Sequence, residues 1–135
     1  MNAKNKNTTY STREYRIIAL REVPTPEPIT LLDTPERAAN YFRTIIGPTL
    51  EEGREQAFVV LVDTRRRVCG YHLLSAGTLD TLLVHPRDIF RAAIMENAAA
   101  IIFGHTHPSG DPTPSDADIR VTRDLIKCGQ VLKIE

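Results

Sequence analysis

The sequence predicts an α/β or α+β sandwich in which helices flank a mixed central β-sheet. Short apolar runs typical of strands alternate along the chain with segments whose apolar residues have helical spacing. The length of 135 residues suits one hydrophobic core, and 41% hydrophobic and 25% charged residues is the composition of an ordinary globular domain. We therefore expect one folded domain over residues 30–135, preceded by a flexible basic tail and proline-rich connector over residues 1–29.

The N-terminal segment differs in charge from the rest of the chain. Residues 1–21 carry five basic side chains and one acidic side chain, a local charge of +4, so the remainder carries −4 in a chain of zero net charge. The run from Tyr15 to Leu20 predicts a short strand, and Pro24, Pro26 and Pro28 predict an extended connector. A domain that wraps duplex DNA normally has a basic excess, so at most weak DNA association is expected.

Composition also bears on the compartment. No apolar run reaches the roughly 18 residues that a membrane span needs, and residues 1–12 lack the apolar core of a signal peptide. Cys69 and Cys128 fit no metal or redox spacing, which favours reduced thiols within the core. We therefore expect a cytoplasmic protein without membrane association.

Three helices follow from start and stop signals. Thr34 is predicted to cap the first helix with Pro35 at its first position, and Gly47-Pro48 ends it. Pro86 begins the second helix, and a third begins at Ser115 and ends near Gly129. The predicted inward-facing residues of the second helix are Ile89, Phe90, Ala93 and Ile94, and those of the third are Ile119, Thr122, Leu125 and Ile126.

The strands follow from short β-branched runs. Ala57 to Val62 is expected to be buried on both faces, and Val68 to Ser75 returns after a polar turn as the second strand of a hairpin. Arg65 to Arg67 lie in this turn, where solvated charges are more common than a phosphate patch. Three further strands are predicted over Thr81–Val84, Ala99–Phe103 and Val131–Ile134.

The segment from His105 to Asp118 contains the candidate metal ligands, and it reads H-T-H-P-S-G-D-P-T-P-S-D-A-D. His105 and His107 are two residues apart at the end of a strand, so their imidazoles point to the same side. Asp118 lies in the first turn of the third helix, and the prolines between restrict the loop so that this helix start can fold back. Two imidazoles and one carboxylate leave a fourth tetrahedral position open, as in catalytic zinc sites.

Each part of this pattern also has a purely structural interpretation. A single His-x-His is weak evidence for a metal site, and Ser115-x-x-Asp118 is close to a helix capping box. Asp111 and Asp116 are alternative carboxylate ligands whose spacing fits less well. The joint spacing is much more specific than any of its parts.

The combined pattern resembles the signature of the JAB1/MPN+ (JAMM) zinc metalloproteases. The longer string H-P-S-G-D-P-T-P-S-x-x-D, with G-T-L-D and V-H-P-R-D-I-F at residues 77–90, is similar to the RadC branch. The resemblance covers roughly Glu55 to Ile134 and implies the JAB1/MPN fold, which is cytidine-deaminase-like. It also implies a Zn²⁺-dependent peptidase or isopeptidase acting on a protein or peptide substrate.

The resemblance assigns site residues as well. It implies that His105, His107 and Asp118 hold the metal, and that a glutamate precedes the first core strand. Glu55, 50 residues before His105, matches that glutamate. A carboxylate free of the metal can take a proton from the attacking water and deliver it to the leaving amine, and the Ser115 hydroxyl can donate to the developing oxyanion.

A second function is compatible with the same resemblance. RadC-like proteins have an association with DNA repair, so the alternative is an accessory binding protein in DNA repair or mobile-element maintenance. A nucleobase deaminase would need a P-C-x-x-C motif, which the sequence lacks. His72 and His85 are interpreted as structural. Because the family continues past the position of Glu135, the domain is expected to be truncated, with an open sheet edge that favours a homodimer.

Overall fold

The computed structural model describes residues 30–74 and 84–135 and confirms the α+β sandwich. A capped helix leads into a core hairpin, and a second helix, a third strand and a long helix follow. The elements, in order, are α1 (Pro35–Tyr41, prolonged by a π-helical turn over Phe42–Ile46 and a 3-10 turn over Gly47–Thr49), β1 (Ala57–Val62), β2 (Val68–Leu73), α2 (Pro86–Met95), β3 (Ala100–His105) and α3 (Asp116–Leu132).

The three strands form a sheet of order β2-β1-β3, and both outer strands run antiparallel to β1. Beyond α3, the Glu135 N–H donates to the carbonyl of Ala99 and the Ile101 N–H donates to the carbonyl of Glu135. Two bonds from one residue to positions i and i+2 of a neighbour are the pattern of parallel pairing. Glu135 therefore begins a parallel pairing along the edge of β3 that faces away from β1.

Strand β1 joins two hydrophobic cores because its side chains alternate between the faces of the sheet. Ala57, Val59 and Leu61 pack with α2, α3 and Ile134, while the residues between them pack with α1. All six residues of β1 are at most 5% exposed, as predicted for a strand buried on both faces. The residues on the α1 side are Phe58, Val60 and Val62.

The start of α1 is as predicted. The Thr34 hydroxyl accepts a hydrogen bond from the Arg37 N–H at 3.2 Å, and Pro35 occupies the first helical position. In α2, Ile89, Phe90 and Ala93 are buried as expected. Ile94 was wrongly assigned to the inner face, because it is 52% exposed.

The third helix differs most from its prediction. Leu125 is buried, but Ile119 is 40% exposed and Ile126 is 56% exposed, so the predicted inner stripe was largely wrong. Gly129 does not end the helix. A Cβ there would lie 2.5 Å from the carbonyl oxygen of Ile134, so glycine lets the C-terminal turn pack against the helix.

The prediction of a last strand over Val131–Ile134 was wrong. Val131 and Leu132 are the final helical residues, and Lys133 ends α3 in the left-handed conformation with φ of 58°. Only Glu135, beyond the predicted strand, bonds to β3. The expectation of two core cysteines was half wrong: Cys128 packs against the first core, whereas Cys69 is exposed on the outer strand.

Several sequence predictions fall outside the described residues. These are the basic tail and proline-rich connector, the strand over Tyr15–Leu20, Ser75 at the end of the second hairpin strand, and most of the strand over Thr81–Val84. Within the described ranges, no helix has both the length and the apolar character needed to cross a bilayer.

Candidate metal centre

The register of β1 and β3 brings the candidate residues together. Ala57 pairs with His105, so the residue at the start of one strand lies opposite the end of the other. The pairing continues one step further, where the Thr106 N–H donates to the Gln56 carbonyl at 2.9 Å. Glu55, directly before this pair, consequently lies beside the two histidines.

His105 and His107 converge as their spacing predicts. Their Nε2 atoms are 2.8 Å apart, and the side chains are 19% and 20% exposed. The ring of His105 also stacks on Phe103, with centroids 5.9 Å apart. Both imidazoles therefore direct their Nε2 atoms toward the same partly buried position.

Asp118 completes the set from the first turn of α3. Its Oδ1 lies 3.1 Å from Nε2 of His105, and its Oδ2 lies 3.2 Å from Nε2 of His107. The carboxylate is only 11% exposed. The loop between His107 and Ser115 thus turns the helix start back onto the strand end, as the predicted ligand set requires.

The donor atoms fit a metal ion such as zinc. Ligand atoms from Glu55, His105, His107 and Asp118 all lie within 4.8 Å of one another. A tetrahedral zinc with bonds of about 2.0–2.1 Å separates neighbouring ligand atoms by roughly 3.3 Å, so small outward shifts of the three closest donors would accommodate the ion. Two imidazole nitrogens and a carboxylate oxygen are a donor set typical of catalytic zinc sites.

A backbone carbonyl fixes the orientation of His107. Nδ1 of His107 lies 2.6 Å from the carbonyl oxygen of Asp111, which can only accept a hydrogen bond. Nδ1 therefore carries the proton of the neutral ring, and the lone pair of Nε2 is available to a metal. Sequence reasoning missed this contact because a backbone carbonyl has no residue signature.

Asp111 itself has a structural role. Its Oδ1 accepts from the hydroxyl and the N–H of Thr113, at 2.7 and 2.9 Å. The bond from the Thr113 hydroxyl is the main cause that lowers the pKa of Asp111 below its ordinary value. Neither Asp111 nor Asp116 belongs to the cluster of converging ligand atoms in the described part of the chain.

Ser115 and Asp118 form the capping box that was the structural interpretation of their spacing. The Ser115 hydroxyl accepts from the Asp118 N–H at 3.1 Å, and the Asp118 carboxylate accepts from the Ser115 N–H at 2.8 Å. Burial acts to raise the pKa of Asp118, but the Ser115 N–H and the neighbouring His105 outweigh it and lower the pKa overall. The same carboxylate therefore caps α3 and faces both histidines.

The remaining candidates lie away from this point. His72 is exposed on β2, and His85 immediately precedes α2; neither belongs to the described cluster. In the hairpin turn, Arg66 bonds to Glu135 at 2.6 Å and Arg67 bonds to Asp63 at 2.8 Å. These exposed ion pairs agree with a solvated turn.

Comparison with known proteins identifies the family. Residues 32–135 match the RadC-like JAB domain. The chain belongs to the RadC-like JAB domain family. Its relatives include UPF0758 proteins of Chlorobium chlorochromatii (strain CaD3) and Moorella thermoacetica (strain ATCC 39073 / JCM 9320), 42% identical over 98 residues and 45% identical over 97. These alignments cover 73% and 69% of this chain.

A third relative, UPF0758 protein tlr1707 of Thermosynechococcus vestitus (strain NIES-2133 / IAM M-273 / BP-1), is 37% identical over 105 residues, 78% of this chain. The alignments cover 44%, 42% and 41% of the three relatives. This RadC-like JAB domain thus spans less than half the length of the curated relatives it matches.

Proposed function

We propose that this RadC-like JAB domain is a zinc-dependent hydrolase of amide bonds in peptides or isopeptides. The observation that carries the proposal is the convergence of Glu55, His105, His107 and Asp118, whose ligand atoms lie within 4.8 Å of one another. His105, His107 and Asp118 would hold the ion. A bound zinc ion polarises a carbonyl group and lowers the pKa of water, which makes neutral-pH hydrolysis feasible.

Glu55 would move the protons of the reaction. Its carboxylate is half-buried beside the histidines, and it forms no hydrogen bond or ion pair with any residue in ranges 30–74 and 84–135. It can therefore accept a proton from the attacking water at one oxygen as the C–O bond forms. Delivery of that proton to the leaving nitrogen, as the C–N bond breaks, restores the carboxylate.

Ser115 would stabilise the negative charge that develops on the carbonyl oxygen. Its hydroxyl oxygen accepts the bond from the Asp118 N–H, which leaves the hydroxyl hydrogen for donation elsewhere. A well-placed donor of this kind contributes a few kcal/mol to catalysis. Replacement of Ser115 by Ala should then lower kcat by roughly 100-fold with less effect on KM.

The decisive experiment combines metal analysis with turnover of a panel of dye-quenched peptides and lysine isopeptides. We expect about one zinc per chain, and turnover that Glu55→Gln lowers by at least roughly 100-fold while zinc remains bound. Glu52→Gln is the matched control, because Glu52 is exposed and lies outside the described ligand cluster. Zinc content near zero, or full turnover by Glu55→Gln, would refute the proposal.

Phosphate contact by the arginine-rich hairpin is less well supported. Two of its three arginines already pair with carboxylates, Arg66 with Glu135 and Arg67 with Asp63. A salt titration of duplex DNA binding measures any remaining role, since phosphate contacts give a steep dependence of log affinity on log salt. We expect the hairpin arginines to contribute no such dependence of DNA affinity on salt.

A further inference from the structure

Thr106 separates the two histidine ligands and bonds to the residues on both sides of Glu55. Its N–H donates to the Gln56 carbonyl at 2.9 Å. Its hydroxyl oxygen accepts from the Gln56 N–H at 3.0 Å, and the hydroxyl donates to the Arg54 carbonyl at 3.1 Å. One side chain thus links the strand end that carries the histidines to the chain segment that carries the glutamate.

Glu55 depends on such a link because regular structure does not hold it. Strand β1 begins at Ala57, and the Glu55 carboxylate has no partner among the residues that the structure describes. The backbone of Arg54 and Gln56 therefore decides where this carboxylate lies. Gln56 is only 9% exposed. Its side-chain oxygen accepts a hydrogen bond from the Glu51 N–H and so holds the preceding turn.

We propose that Thr106 is a positioning residue whose hydroxyl sets the place of the Glu55 carboxylate relative to the metal ligands. The two hydroxyl bonds flank Glu55 on either side, so their loss frees the segment at the point where it faces the histidines. A displacement of about 1 Å at a catalytic group can lower turnover by roughly 100-fold. The kinetic consequence rests on the proposed function, whereas the geometric consequence does not.

Two variants isolate the Thr106 hydroxyl, and a third is the control. Thr106→Val keeps the shape and removes both side-chain bonds, while Thr106→Ser keeps the hydroxyl. Thr44→Val is the matched control, because the Thr44 hydroxyl also donates to a backbone carbonyl, that of Asn40 at 2.8 Å, but in the first helical segment. If Thr106→Val does not fold, as judged by circular dichroism, Thr106→Ala takes its place in the same comparison.

The first measurement needs no substrate. In the full chain labelled with carbon-13, the Glu55 carboxyl resonance, assigned with Glu55→Gln, is followed as zinc alone is added. We expect a clear shift in wild type, Thr106→Ser and Thr44→Val, and a shift at least about two-fold smaller in Thr106→Val. Zinc stoichiometry should be equal in all four proteins, since none of these substitutions removes a ligand.

The second measurement uses a dye-quenched peptide that the wild type cleaves. Thr106→Val should lower kcat by roughly 10- to 100-fold with KM changed less than about two-fold, and Thr106→Ser should restore kcat to within about three-fold. An unchanged Glu55 shift in Thr106→Val would overturn the proposal, as would an unchanged kcat. A loss of bound zinc in that variant would also overturn it, because Thr106 would then support the histidines.

The two proposals fail in different ways. If the wild type cleaves no substrate but its Glu55 resonance still responds to zinc in a Thr106-dependent manner, the hydrolase is refuted and the positioning role is upheld. If the wild type cleaves peptides and Thr106→Val does so equally well, the positioning role is refuted and the hydrolase stands.

Discussion

Helices α1 and α3 begin with the same capping hydrogen bond, but the residues that are capped have different surroundings. Thr34 and Ser115 each use a hydroxyl to accept the N–H of the residue three positions on, at 3.2 and 3.1 Å. In α1 that third residue is Arg37, whose side chain bonds to exposed Asp33, whereas in α3 it is Asp118. An ordinary capping carboxylate becomes a candidate metal ligand because the end of β3 lies in front of it.

Removal of the charge of Asp118 should have the largest effect on the difference between the two helix starts. Asp118→Asn keeps an oxygen that can accept from the Ser115 N–H but removes the negative charge of the candidate metal ligand. We expect zinc affinity to fall by more than about 100-fold, beyond the effect typical of residues that only support a ligand. Zinc titration with a competing chelator measures it.

The matched change in the other helix start is Glu36→Gln. Glu36 is the acidic residue in the first turn of α1 and is exposed. Zinc affinity should remain that of the wild type. Equal losses in Asp118→Asn and Glu36→Gln would mean that charge in general, and not the convergence with His105 and His107, determines metal binding.

Sequence alone predicted that the candidate ligands converge because their geometry is local. The two-residue spacing of His105 and His107 places both rings on one side of a strand, and the capping pattern places Asp118 in a first helical turn. Glu55 came only from the family resemblance, since nothing in its own neighbourhood links it to residues 50 positions away. The supports of the site, the Asp111 carbonyl and the Thr106 hydroxyl, depend on loop and register geometry that the spacing does not encode.

The rotation of α3 is the instructive error. The helix offers two apolar stripes, one through Ile119 and Ile126 and another through Val121 and Leu125, and periodicity does not choose between them. The site chooses. With Asp118 turned toward the histidines, residues three and seven positions later lie on the inner face, while Ile119 is rotated by about 100° from it.

A smaller effect is expected from the two aspartates that organise turns. Asp63 accepts from the N–H groups of Arg65 and Arg67, and Asp111 accepts from Thr113, but only the second turn presents a carbonyl to His107. Asp111→Ala should therefore loosen the support of His107 and lower zinc affinity by roughly 10-fold. The same chelator titration measures this change.

Asp63→Ala is the control for turn stability without a metal site. Hydrogen bonding from the Arg67 N–H is the main cause that lowers the pKa of Asp63 below 3.8. Its stabilising effect is thus present above that pH and is lost as the pH falls through the lower folded-state value. Asp63→Ala should leave zinc affinity unchanged and destabilise the metal-free protein at neutral pH but not in strong acid. A zinc affinity lowered equally by both substitutions would contradict a specific support of His107.

The smallest expected effects come from the caps themselves. Thr34→Ala and Ser115→Ala should each lower the free energy of unfolding of the metal-free protein by about 1 kcal/mol, measured by urea denaturation. Saturating zinc should leave the cost of Thr34→Ala unchanged. It should increase the cost of Ser115→Ala, because a less ordered Asp118 weakens zinc binding and so reduces the stabilisation that the ligand gives to the native state. Equal costs with and without zinc for both variants would mean that the Ser115 cap does not support Asp118 in zinc binding.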